Sequence, residues 1–291
     1  MGKLVRMIDE EGTLSVIAAD STDIVREMRS IHGTSNVCSA ALGRMLTAAT
    51  MMGSTLKGKD DSITVKINGG GPCGTVLAVS DSDGNVRGCI GKADISLPLN
   101  KKGKLDVAGA VGKNGFVTVI KDLGLKEPYI GKAPIVSGEI AEDITSYYVV
   151  SEQIPTVCAL GVLTEHDSGE IICAGGFMIQ LLPTADDTII ERVEESINDL
   201  PPVTKMLSDG MTPEEICKKA LSKFNLQLLD ETNTAYRCTC SRERVEKALI
   251  ATGKSGLSEM AEDETTEVVC NFCHKKYHFS KEEIQKMLKR V

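Results

Sequence analysis

The apolar positions change period along the chain, and each change marks a predicted element. Residues 3–19 carry two apolar stretches around Glu10-Glu11-Gly12, the pattern of a β-hairpin. A helical period follows at 22–31, with Ile24, Val25, Met28 and Ile31 on one face and His32-Gly33 ending it. Residues 35–56 read as a longer helix, rich in Ala and Met, interrupted by Gly43 and Gly53 and apolar nearly all round. A helix without a polar face has to be buried, here against a sheet. Period two takes over at 62–68, where Ile63, Val65 and Ile67 share one side. It continues at 75–79 and 86–90, joined through Asp81-Ser82-Asp83-Gly84. Further strands are predicted at 116–121, 134–140, 156–163 and 171–182, with a helix at 141–152. The turn His166-Asp167-Ser168-Gly169 separates the last two strands and leaves His166 exposed. Strands in runs with helices grouped apart define an α+β domain, placed at 1–182.

At Pro183 the pattern changes. Asp186 can cap a helix whose apolar face is Ile189, Ile190, Val193 and Ile197, and Pro201-Pro202 breaks it. Thr212-Pro213-Glu214-Glu215 is a strong helix start, with a cap, a proline in the first turn and acids near the positive end, and the helix is predicted to reach Phe224. Residues 183–233 thus form a helical connector with thin apolar stripes, stable only when docked on something. Residues 234–291 form a small terminal module. In it Ser241 caps a helix with Val245, Ala248 and Leu249 inward, and 259–267 is an acidic, solvated spacer. Ser280-Lys281-Glu282-Glu283 is a capping box, starting a last helix with Ile284, Met287, Leu288 and Val291 on one face.

Composition removes several functions. The 291 residues suffice for two domains, and the net charge of −8 makes nucleic acid or an anionic membrane a poor partner. No apolar run of about 18 residues suggests a membrane span. No apolar segment follows Met1-Gly2-Lys3-Leu4-Val5-Arg6, so no secretory signal is expected. Ten cysteines without an export signal point to a reducing cytoplasm and to unbridged or metal-bound thiols. Gly69-Gly70-Gly71-Pro72-Cys73-Gly74 is a tight turn; it lacks the Gly-Lys-Ser/Thr ending of a phosphate loop and leads into a strand. Gly253-Lys254-Ser255 has Ala248 where such a loop needs its first glycine, and it follows a helical pattern.

The candidate chemistry lies in the terminal module. Cys238-Thr239-Cys240 and Cys270-Asn271-Phe272-Cys273 are two close pairs with 29 residues between them. Four thiols so arranged are what a tetrahedral Zn²⁺ needs. In extended chain, residues two apart lie about 6.6 Å from each other, near the upper limit for a disulfide. The C-x-C pair can therefore serve as two ligands or as a strained, easily reduced disulfide. His274 directly follows Cys273, which excludes a two-Cys two-His finger with its spacing of about a dozen residues. Four thiolates complete the tetrahedron, so His274 and His278 are not expected to ligate, and no position stays open for a catalytic water. The module has too small a core to fold alone, and a metal contributing about 10–16 kcal/mol of apparent binding energy would close the gap. Its 11 Lys and Arg against 9 Asp and Glu form no clustered basic stripe, unlike a nucleic-acid zinc ribbon. The other cysteines, Cys38, Cys73, Cys89, Cys158, Cys173 and Cys217, read as small buried hydrophobes.

These features together resemble the redox-regulated 33-kDa heat-shock chaperonin family of bacteria, over essentially the whole chain. The resemblance rests on His32-Gly33-Thr34 with Ala40-Ala41-Leu42-Gly43-Arg44, on Gly69-Gly70-Gly71-Pro72, on Gly103-Lys104-Leu105-Asp106-Val107 and on Lys121-Asp122-Leu123-Gly124-Leu125. Ser137-Gly138-Glu139-Ile140-Ala141, Ser151-Glu152-Gln153 and Ala174-Gly175-Gly176-Phe177 add to it, and the C-x-C plus C-x-x-C set is its most distinctive part. Cys89 departs from it, where the family pattern leads one to expect an aromatic residue. The resemblance implies an ATP-independent holdase, not an enzyme, acting in the stress response. Zinc on Cys238, Cys240, Cys270 and Cys273 would keep the reduced module folded and the connector docked. Oxidation would pair Cys238 with Cys240 and Cys270 with Cys273, release the zinc, and free apolar surface for unfolding client proteins, with a homodimer as the active form. The residues support the middle of this sequence of events on their own: thiolates are oxidisable, the metal is the module's main source of stability, and loosening would expose Ile189, Ile190, Val193, Ile197, Ile216 and Leu221. Two other classes stay open at this point: a zinc-stabilised nucleic-acid or transcription module, and a thiol-disulfide oxidoreductase using Cys270 and Cys273, although a redox C-x-x-C belongs beside a βαβ pattern.

Overall fold

The chain begins with the predicted hairpin, β1 (Gly2–Asp9) and β2 (Leu14–Asp20), in a computed structural model that describes residues 1–291. The buried Asp9 carboxylate closes the turn by accepting from Thr13 N, Leu14 N and the Thr13 hydroxyl at 2.7–2.8 Å. Helix α1 (Thr22–His32) stops at Gly33, which takes the left-handed φ of 59° and donates back to Arg29 O. Helix α2 (Asn36–Gly53) follows, and of its residues all but Asn36 and Arg44 are buried. The sequence then alternates through β3 (Ser62–Gly70), β4 (Val76–Asp81) and β5 (Val86–Ile90), a short helix α3 (Val107–Val111), and β6 (Gly112–Asp122) and β7 (Tyr129–Pro134). Helix α4 (Ala141–Tyr147) runs on as a π-helical turn (Tyr148–Glu152) before β8 (Thr156–Thr164) and β9 (Ile171–Leu181). Helices α5 (Asp187–Ile197), α6 (Val203–Ser208) and α7 (Pro213–Ala220) lead to β10 (Leu226–Thr234).

Two antiparallel five-stranded sheets result, ordered β10-β1-β2-β9-β8 and β5-β4-β3-β6-β7. Helix α2 packs on both, which is why it carries no polar face. Its Leu42, Met45, Leu46 and Met52 join Leu4 and Ile17 of the first sheet and Ile63, Val65 and Val119 of the second in one core. The first sheet is apolar on its other face too. Val5, Met7, Leu14, Val16, Ala18, Phe177 and Ile179 meet Ile189, Val193, Val203, Met206, Ile216 and Ala220 from α5, α6 and α7, with Leu221 just beyond. The short connector helices therefore form a lid over an apolar sheet face. The glycine run at 69–71 serves packing: a Cβ on Gly69 would sit 2.1 Å from Gly112 O, and one on Gly71 would sit 2.3 Å from Ala110 O. Its neighbouring donors are used internally, Gly71 N by Val111 O and Cys73 N by Ala110 O, so they form no phosphate cradle.

Several expectations are corrected here. The strand expected at 134–140 ends at Pro134 and begins at Tyr129. Beyond it the chain wraps the fully buried Asp143, whose carboxylate accepts from the backbone N–H of Val136, Ser137, Gly138 and Ile140, leaving those donors unavailable to a ladder. The helix expected to reach Phe224 ends at Ala220. Residues 226–233, placed in the helical connector, are the edge strand β10, paired with β1 and tied by Lys3 to Glu231 and Arg6 to Asp230. Helix α6 was not anticipated, and Ile190 points outward at 39% exposure. Cys89 and Cys158 are half-buried, not fully buried.

By compactness the chain divides into Met1–Arg237 and Cys238–Val291. The second unit holds α8 (Arg242–Ile250), α9 (Gly253–Met260), the hairpin β11 (Thr265–Val269) and β12 (Lys276–Ser280), and α10 (Lys281–Leu288). Ser241 caps α8 by accepting from Arg244 N, and the capping box at Ser280 and Glu283 starts α10. The acidic stretch 259–267 is not a spacer: Glu259 lies in the last turn of α9, and Glu267 stands in β11 opposite His278. Ala248 and Val291, expected inward, are exposed. The buried core is Leu249, Leu257, Tyr277, Phe279, Ile284 and Met287, with the Arg242 guanidinium 4.3 Å from the Phe279 ring centre. No helix of the chain is long and apolar enough to cross a membrane.

Candidate metal centre

Two loops bring the four cysteines together. Cys270–Cys273 forms the turn of the β11–β12 hairpin, closed by Cys270 N donating to Lys275 O and His274 N donating to Cys270 O. His274 turns the chain at a left-handed φ of 56°. The other pair precedes α8, and Arg244 pins its middle residue by donating to Thr239 O and, at 2.6 Å, to Thr239 Oγ1. All four sulfurs lie within 4.8 Å of one another. Cys240 and Cys273 Sγ are 3.5 Å apart, and Cys238 and Cys270 Sγ are 3.7 Å apart. A tetrahedron with Zn–S bonds of about 2.3 Å has edges of about 3.8 Å, so these two sulfur pairs already stand close to the spacing zinc would impose. Cys238, Cys240, Cys270 and Cys273 could together hold a metal ion, and an all-thiolate set is consistent with Zn²⁺.

The electrostatics of the cluster are uneven. Burial, with hydrogen bonds from neighbouring thiols, pushes the Cys238 and Cys273 thiols up, although the backbone N–H groups of Cys240 and Lys275 pull in the other direction. At Cys240 burial is outweighed by hydrogen bonds from the Tyr277 hydroxyl and the other thiols, which bring it down to about 7. The Tyr277 Oη–Cys240 Sγ distance is 3.1 Å. The thiols elsewhere shift in the same direction as Cys238 and Cys273 and opposite to Cys240: burial pushes Cys73, Cys158 and Cys217 up to about 12 and Cys173 to about 11. Since the thiolate is the reactive and ligating species, Cys240 is the thiol whose surroundings most favour it at neutral pH.

The histidines beside the second pair stand apart from the sulfur set. His278 Nε2 lies 3.6 Å from Glu267 across the hairpin, and His274 shapes the turn through its backbone. Replacing both by Ala is expected to leave one zinc per chain by elemental analysis. Metal loss from a variant that stays folded would show that the ligand set is wrong. Sequence reasoning missed Tyr277 and Arg244. The available signal for Tyr277 was the alternation of Tyr277 with Phe279, which marks the buried face of a strand leading away from the second pair.

A profile of the family described as Hsp33 protein matches residues 2–280. The chain belongs to the Hsp33 protein family. It is 47% identical over 288 residues to a protein of Clostridium botulinum called 33 kDa chaperonin, covering 99% of this chain and 97% of that one. A protein of the same name from Clostridioides difficile is 46% identical over 289 residues and covered to 99% on both sides. Among solved structures, the crystal structure of the 33 kDa chaperonin (heat shock protein 33 homolog) of Thermotoga maritima matches with a TM-score of 0.87 at 34% identity, covering 99% of this chain and 98% of that one. Family membership thus extends over both units, the cysteine cluster included.

Proposed function

We propose that the chain is an ATP-independent holdase, active on unfolding client proteins, whose activity is switched on by oxidation of the four clustered cysteines. The observation that carries this reading is the sulfur cluster itself. Four thiols stand at zinc spacing in a unit whose buried core amounts to six side chains. A zinc ion held there supplies cross-linking of the two loops and keeps all four sulfurs deprotonated. Under peroxide the sulfurs pair, Cys238 with Cys240 and Cys270 with Cys273, and the loops lose their common anchor.

The downstream effect runs through the chain. Residues 183–233 act as a releasable linker between the core domain at 1–182 and the redox module at 234–291. Past the linker's last strand, Ala235 and Arg237 at the start of the 234–291 segment hydrogen-bond to Val86, so the chain is strapped to the core domain immediately before Cys238. Once module and linker loosen, two apolar surfaces come free: the stripes of α5 to α7 and the sheet face beneath them, lined by Val16, Phe177 and Ile179. Contiguous exposed apolar surface of this kind captures unfolding proteins. The reading includes a cytoplasmic protein that dimerises when active and carries no catalytic activity of its own.

The test follows zinc content and suppression of aggregation of a thermally unfolding enzyme on one sample, before peroxide, after it, and after dithiothreitol. Zinc release with a gain of suppression, reversed by the reductant when zinc is supplied, is the expected result. Equal suppression by the reduced zinc-bound and oxidised zinc-free forms would reduce the zinc to a structural role.

A further inference from the structure

We propose that Tyr277 is a positioning residue of the thiolate cluster, which shields Cys240 from peroxide and so sets how readily the site is oxidised. This rests on the oxidation-switch reading above and names a part of its regulation.

The geometry has three parts. The Tyr277 ring is 6% exposed, packed in the module core, and its strand position opposite Val268 is fixed by the β11–β12 ladder. The Lys275 ammonium lies 5.3 Å from the ring centre. The hydroxyl of this buried ring donates to Cys240 Sγ at 3.1 Å. Cys238 and Cys273 are instead served by backbone N–H groups, those of Cys240 and Lys275. Cys240 thus receives its donor from a side chain, 37 residues away in sequence, that can be altered without touching the loop backbone.

With zinc bound all four sulfurs are thiolates, so protonation does not distinguish them; electron density does. A hydroxyl donating to a thiolate is a charge-assisted hydrogen bond. It draws density from the sulfur lone pair that would attack an electrophile, and it offsets part of the doubly negative charge of a four-thiolate zinc centre. Partners of this kind around a metal ligand typically alter metal affinity or activity by about 10–100-fold.

The oxidant is hydrogen peroxide. A thiolate attacks one peroxide oxygen, the O–O bond breaks, and a sulfenic acid and hydroxide form. A neighbouring thiolate then attacks the sulfenic sulfur, the S–S bond forms, and a second hydroxide leaves. Two peroxides convert four thiolates into two disulfides and four hydroxides, and Zn²⁺ departs. Shielding one thiolate slows whichever of these steps needs Cys240 as nucleophile.

The experiment compares wild type with Tyr277→Phe, which keeps the ring and removes the donor. Both are zinc-loaded, and their fold is checked by circular dichroism. Zinc release under hydrogen peroxide is followed with a chromogenic chelator, and iodoacetamide labelling of each cysteine in the zinc-bound protein is mapped by mass spectrometry. The variant is expected to hold one zinc per chain, to release it about tenfold faster, and to label at Cys240 faster relative to Cys273. A merely structural role would raise labelling at all four cysteines together. Unchanged release, or an unchanged Cys240-to-Cys273 labelling ratio, overturns the proposal. If the variant does not fold, wild type decides alone: Cys240 must label more slowly than Cys270, and equal or faster labelling overturns the proposal. Wild type that binds no zinc, or keeps it under peroxide, overturns the switch reading and this inference with it, whereas normal zinc release in wild type with an unaltered variant overturns the inference only.

Discussion

Replacing Cys238 and Cys273 by Ser is expected to strip the protein of zinc and unfold the terminal unit while Met1–Arg237 keeps its structure. The pair takes one sulfur from each loop, so no set of four thiolates remains on either side. Ordering a residue opposes folding by about 1.5 kcal/mol, and the buried side chains Leu249, Leu257, Tyr277, Phe279, Ile284 and Met287 are few for the 54 residues of Cys238–Val291. A structural zinc contributes about 10–16 kcal/mol of apparent binding energy, and without it the unit has no comparable source of stability. The first unit stands differently, with a continuous core around α2 and a second one under α5 to α7. Elemental analysis should find little metal in the double variant. Limited trypsin digestion should cut within 238–291 and leave a resistant fragment corresponding to the first unit. Full zinc occupancy would sink the four-thiolate assignment, and a protease-resistant terminal unit without zinc would show that its core suffices.

What could be read from the sequence follows from how local the cause is. Helix α2 was legible because burial between two sheets forces an all-round apolar composition, and that composition is printed in its own residues. The hairpin of β1 and β2 and the caps at Asp186, Thr212, Ser241 and Ser280 were legible for the same reason: the partners lie within a few residues. Strand β10 was not. It sits at a sheet edge, its partner β1 lies more than 200 residues earlier, and its pairing is carried by the backbone ladder and by ion pairs such as Lys3 with Glu231. Neither leaves an alternating apolar pattern, and Leu228 and Leu229 are both half-exposed. The segment 135–140 misled because Val136 and Ile140 look like strand residues, whereas a single carboxylate seven residues or fewer downstream takes their N–H groups. At the site, the grouping of the four cysteines was legible from their spacing alone. Tyr277 was not, because a tyrosine in a strand is ordinarily just core, and only folding brings its hydroxyl to a sulfur.

Placing an aspartate at Ile216 is expected to make the reduced, zinc-loaded protein an active holdase. Ile216 is fully buried on α7, against β1 and β2 of the first sheet. An unpaired carboxylate there destabilises the docked arrangement by about 3–5 kcal/mol. Helices α5, α6 and α7 have 11, 6 and 8 residues, too short to persist once off the sheet. The connector should therefore leave the Val16, Phe177 and Ile179 face while the cysteine cluster, which the substitution does not touch, keeps its metal. Lys219→Asp on the exposed side of the same helix introduces the same carboxylate in solvent, with a larger change in net charge (−2 against −1), and serves as the control. The measurements are zinc per chain, binding of a dye for apolar surface, and suppression of client aggregation, all under reducing conditions. Ile216→Asp should match wild type in zinc, exceed it several-fold in dye binding, and suppress aggregation without peroxide, while the control should match wild type in all three. If dye binding rises and suppression does not, the face under the connector is not where clients bind, and the oxidised protein must offer them another surface.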